Sequence, residues 1–172
     1  TPVIVIALSI PIAVTLILFI INSGAYIVPS SSGLTYIGPG GAYPKCWPVE
    51  GVISQGPPGS GSNCGGICSH VQYNLNAFDI ADPEQLPGKL VYATHDGLAT
   101  SYTSDPSRGY GNYVRVVSSV GSFSTLYGHL DSVTYPEPTV VTAGTQIGVE
   151  DSTGNSSDDH VHYELISTPP YI

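Results

Sequence analysis

Five histidines, at positions 70, 95, 129, 160 and 162, are the residues of this chain best suited to chemistry near neutral pH. Two of them lie in His160-Val161-His162-Tyr163-Glu164-Leu165, close to the C-terminus. Polar and apolar residues alternate there, with β-branched and aromatic side chains between them, which predicts a half-buried strand. On a strand, His160, His162 and Glu164 share one face, with the two histidine Cα atoms roughly 7 Å apart. Two imidazoles on one wall suit a metal site; the plain alternative is a pair of surface or packing histidines. A hydrolytic zinc centre needs three protein donors and one open position for water. His162, His70 and a carboxylate are candidates. Asp79 is the single acid in the apolar stretch Asn76-Ala77-Phe78-Asp79-Ile80-Ala81, and an acid aimed into such a sheet is costly unless it meets a cation. The competing reading places Asp79 at the surface of an edge strand.

The elements that must position these groups are short. Strand-like runs are predicted at 51–54, 77–80, 90–94, 98–103, 113–118, 124–127, 139–142 and 160–166, separated by turn signals such as Asp96-Gly97, Ser107-Arg108-Gly109 and Ala143-Gly144. No long amphipathic pattern interrupts them. The expectation is a mainly β, antiparallel domain over residues 46–172, large enough for one core. Residues 23–45 are rich in Gly, Pro and Ser and read as a linker or an extended arm lying over that domain.

Residues 1–22 are read as one hydrophobic α-helix. The run from Val3 to Asn22 is broken only by Ser9, Pro11 and Thr15, and at about 1.5 Å per residue it covers the roughly 30 Å hydrocarbon core of a bilayer. This predicts a single-pass anchor in the cell membrane with the C-terminal domain outside the cytoplasm. A cleaved signal peptide fits less well, because the run lacks a basic region before it and a small-x-small cleavage site after it. The absence of Met from the chain reads as a processed N-terminus or a fragment. The second alternative is a filament subunit of pilin type, with residues 3–22 packed against neighbouring subunits. The glutamate usual near the start of bacterial type IV pilins is missing here.

Lys and Arg number 4 against 13 Asp and Glu, a formal charge of -9. A chain this acidic has no basic stripe with which to neutralise phosphates, so nucleic acid is excluded as a partner. Of the three cysteines, Cys46, Cys64 and Cys68, the last two bracket Gly-Gly-Ile, and one local disulfide is expected outside the cytoplasm. A zinc site on these thiols competes with that reading. It is weakened because a structural site needs four ligands.

From about Trp47 to Ile166 the chain resembles the LytM or lysostaphin-like metallopeptidases of family M23, which cut peptide bonds in bacterial cell-wall peptidoglycan. The resemblance is carried in order by Trp47-Pro48 and Gly51-Val52-Ile53-Ser54; by His70 with Ala77-Phe78-Asp79-Ile80; by Gly109-Tyr110-Gly111-Asn112-Tyr113-Val114; by Tyr127-Gly128-His129-Leu130; by Thr153-Gly154; and by His160-Val161-His162-Tyr163-Glu164. It implies the duplicated hybrid-motif β fold, one Zn²⁺ per chain held by His70, Asp79 and His162, and His129 and His160 as general base or transition-state stabiliser. It implies peptidoglycan peptides as substrate. His95 is read as structural. Glu164 is read as a surface or sheet-edge residue ahead of a group supporting a metal ligand. Two departures from the family pattern stand out. Nine positions separate His70 from Asp79 where four are common, and Asp158-Asp159 precedes the histidine pair where small residues are commoner. The filament alternative would use the same domain as a binding or degenerate module.

Overall fold

A computed structural model describes residues 26–28, 44, 46–60, 68–103, 107–120 and 123–167. The hydrophobic helix expected over residues 1–22 lies outside the described residues, as do Cys64 and most of 23–45. Among the described residues no helix is long and apolar enough to cross a membrane.

Ten strands and one short helix follow in chain order among the described residues: β1 (Tyr26–Val28), β2 (Gly51–Gln55), α1 (Ser69–Tyr73), β3 (Ala77–Ala81), β4 (Leu90–Tyr92), β5 (Gly97–Tyr102), β6 (Asn112–Ser118), β7 (Phe123–Val133), β8 (Thr139–Val141), β9 (Gln146–Glu150) and β10 (Val161–Ser167). The sheet runs β1-β2-β3-β10-β7-β6-β5-β8, every pairing antiparallel, while β9 pairs with both β4 and β7. This is the mainly antiparallel β fold expected. The β-branched alternation that makes β6 a strand buries Val114, Val116 and Ser118 and leaves Val117 exposed. Ile80, Tyr127, Leu130, Val161 and these two valines meet in one core, each side chain contributing about 1.5–3 kcal/mol by burial. Trp47 closes its rim edge-on to Phe78, ring centroids 5.7 Å apart.

Four local expectations are corrected. Strand β7 continues past Tyr127 to Val133, because a bulge lets it run on. Three residues of β6, from Asn112 to Val114, oppose four of β7, from Leu130 to Tyr127, and the extra residue is absorbed where His129 takes φ 62°. Strand β9 was hidden because Ile147 and Gly148 are buried side by side, which erases alternation. His160 precedes β10, joined to Asp151 by an isolated bridge. The helix α1 is a single turn, too short to be stable alone. It is held by the Asn74 cap at φ 54°, by a hydrogen bond between Ser69 and Gln55, and by a disulfide at Cys68. That disulfide removes Cys68 from any thiolate zinc site. Cys46 donates its thiol to the Ala93 carbonyl.

Candidate metal centre

Strand register brings the site together. β3 and β10 are antiparallel neighbours, with His162 directly opposite Asp79. Both strands lie inside the sheet, so the surface reading of Asp79 on an edge strand does not hold; its exposure is 8%. Helix α1 delivers His70, the one residue of its turn that is buried. His70 Nε2 lies 3.1 Å from Asp79 Oδ1, His162 Nδ1 lies 2.9 Å from the same oxygen, and the two ring nitrogens are 3.3 Å apart. Three donor atoms thus form a small triangle. Tetrahedral zinc with ligands at about 2.0–2.1 Å has ligand-to-ligand edges of about 3.3 Å, so the triangle fits one face of that tetrahedron. Two imidazole nitrogens this close cannot both carry protons comfortably, whereas lone pairs converging on a cation would sit well. His70, Asp79 and His162 are the group of His, Cys, Asp and Glu able to hold an ion among the described residues.

Charge is balanced around the carboxylate. Burial works to raise the Asp79 pKa, but hydrogen bonds with His162 and His70 outweigh it and hold the acid well below the usual range. Burial works to lower His162, and is overcome by Asp79 and then Glu164, which push it up to about 9. The Nδ1 proton therefore stands where a cation would bind, and metal binding there would release it.

The remaining histidines divide. His129 and His160 lie beside the triangle with ring centroids 4.7 Å apart and planes tilted by 53°, and His160 Nε2 is 3.6 Å from Asp79 Oδ1. His129 Nδ1 donates to the Thr153 carbonyl at 2.7 Å, and His160 Nδ1 to the Asp158 carbonyl at 2.9 Å. A ring that donates from Nδ1 carries its lone pair on Nε2 when neutral. Burial first, then the charge of His160, lowers the His129 pKa to about 4, so this ring is neutral at pH 7. A left-handed histidine costs about 1–2 kcal/mol. The bonds from His129 N–H to Tyr110 O at 2.8 Å and from Asp151 N–H to His129 O at 3.1 Å offset it at about 1 kcal/mol each. His95 is apart from this group, buried against Thr125 and Phe123.

Two residues, Gln55 and Tyr110, were not foreseen in these roles, and Glu164 takes the less favoured of its two readings. Gln55 Nε2 donates to Asp79 Oδ2 at 2.7 Å and is also bonded to Ser69, next to His70. Tyr110 O–H donates to Glu164 Oε2 at 2.9 Å. Glu164 is correspondingly buried, because β10 lies between β3 and β7 and its carboxylate faces His162 Nε2 at 3.7 Å; the surface or edge reading is overturned. The nearby His162 ring first lowers the Glu164 pKa, against burial.

A profile of Peptidase family M23 matches residues 74–170, beginning just after His70. Peptidoglycan DD-endopeptidase ShyA of Vibrio cholerae serotype O1 is 34% identical over 91 residues, covering 53% of this chain and 20% of that protein. Murein hydrolase activator NlpD of Escherichia coli is 32% identical over 120 residues, covering 69% of this chain and 27% of that protein. The chain thus spans about a fifth to a quarter of the length of these curated relatives. Among solved structures, a zinc containing peptidase from Vibrio cholerae aligns with TM-score 0.51 and 25% identity, over 70% of this chain and 36% of that one.

Proposed function

The chain belongs to peptidase family M23, and on that footing we propose that it is a zinc endopeptidase acting on the peptides of bacterial cell-wall peptidoglycan. The observation that carries this reading is the triangle of His70 Nε2, Asp79 Oδ1 and His162 Nδ1 with two further imidazoles in contact beside it. These three residues would hold the ion. An ion held there would supply a water of pKa about 7 and polarise the scissile carbonyl. His129 and His160, with Nε2 lone pairs fixed by their Nδ1 bonds, take the proton from the attacking water and return it to the leaving amine. Thr153 and Asp158 hold those rings in place through their carbonyls.

The names of the relatives include both an endopeptidase and a hydrolase activator. Two imidazoles with preset tautomers favour the enzyme, since a binding module needs no proton relay. Removing metal with a chelator should abolish release of peptide from purified peptidoglycan, and about one equivalent of zinc should restore it. Full zinc occupancy without released peptide would sink the enzyme reading in favour of an activator.

We also infer that residues 3–22 hold the domain at the outer face of the cell membrane. The length and apolarity of that run support it. Fractionation of cells should recover the chain with the membrane; recovery in regular polymers under electron microscopy would favour assembly of subunits through the same run.

A further inference from the structure

Tyr110 touches both halves of the site through different atoms. Its hydroxyl donates to Glu164 Oε2 at 2.9 Å, and its main-chain oxygen accepts the His129 N–H at 2.8 Å. Its ring lies 5.2 Å from the His162 ring, centroid to centroid. Glycines at φ 55° and 61° flank it, Gly109 and Gly111, so the loop can turn its carbonyl toward β7 while the ring reaches toward β10. Gly128 completes the seat. A Cβ there would lie 3.4 Å from both the Tyr110 and the His162 Cβ, so both side chains close directly over this glycine.

His162 Nε2 is buried and has no hydrogen-bond partner among the described residues, with Glu164 Oε2 at 3.7 Å. A metal-bound histidine is oriented by a carboxylate on its other nitrogen, and loss of such a partner commonly weakens metal binding 10–100-fold. We propose that Tyr110 is a positioning residue that sets His162 for the metal by holding Glu164 behind its Nε2. The Tyr110 hydroxyl meets Glu164. Its action passes through Glu164.

This inference rests on the metal centre proposed above, and the test separates the two. Zinc affinity is measured on the full chain by competition with a chromophoric chelator, alongside melting of the metal-free form. Tyr110→Phe keeps the ring and main chain and deletes one hydroxyl, and should weaken zinc binding by about tenfold with little change in metal-free melting. Glu164→Gln should do the same, because a neutral amide oxygen draws the His162 Nε2 proton less strongly than the carboxylate does. The double variant should be no weaker than about tenfold, since both changes cut one path. Unchanged affinity in Tyr110→Phe, or losses that multiply to about a hundredfold in the double variant, overturns the proposal while leaving the metal centre standing. Failure of the unmodified chain to bind zinc overturns both.

Discussion

His129 Nδ1 donates to the main-chain oxygen of Thr153 at 2.7 Å, which fixes the neutral ring with its lone pair on Nε2 beside His160. The bond is possible because β7 bulges at this residue and the backbone turns to φ 62°. His129→Asn is the informative replacement, because Asn adopts left-handed backbone readily. Peptide release should fall by about 10²–10⁴-fold while zinc content stays near one per chain. Turnover within tenfold of the unmodified protein would remove His129 from the proton relay.

The loop that carries Thr153 depends on a close backbone crossing. Gly154, at φ 85°, packs directly on Gly111 N, and Gly111 packs on Thr153. A methyl at either glycine would meet main-chain atoms, which cannot rotate away. Gly154→Ala should therefore lower stability by about 2 kcal/mol or more and displace the Thr153 carbonyl. Thermal melting and peptide release would both drop; an unchanged melting temperature would show that the crossing yields.

Much of this site was legible because strand periodicity and a distributed motif act locally. Alternation marks β10 as a strand, and an acid in an otherwise apolar run marks Asp79. That His162 stands opposite Asp79 is a register between residues 83 positions apart, which no local pattern encodes. Glu164 was misread for the same reason: whether β10 is an edge or an interior strand depends on which strands flank it. Helix α1 was invisible because one turn leaves no period, and its stability comes from a disulfide, a cap and Gln55. Gln55 itself carries no signal, being a polar residue at the end of a strand.

Gln55 nevertheless fixes the carboxylate plane. Its amide occupies Asp79 Oδ2, leaving Oδ1 for His70 and His162. Gln55→Ala should free the Asp79 rotamer and loosen α1 through Ser69, weakening zinc affinity by about tenfold or more. Chelator competition measures this directly. An affinity equal to that of the unmodified chain would assign the orientation of Asp79 to its histidine neighbours alone.

Glu150 makes stability depend on pH. It is directly opposite Leu130 on the core side of β9 and is 0% exposed, and neither carboxylate oxygen has a hydrogen-bond partner among the described residues. Burial raises its pKa from 4.5 to about 7; Lys89 works against this, and the charges of Asp82 and Asp159 add to it. The folded state thus holds a proton that the unfolded chain gives up near pH 4.5. The resulting stabilisation is complete below that pH and is lost as pH rises through about 7, with a span of roughly 3 kcal/mol. Glu150→Gln removes the titration. Its melting temperature should approach that of the unmodified protein at pH 5 and exceed it at pH 8, the gap opening between those values. A gap independent of pH over that window would mean that the Glu150 carboxylate finds compensation in the folded protein and keeps an ordinary pKa.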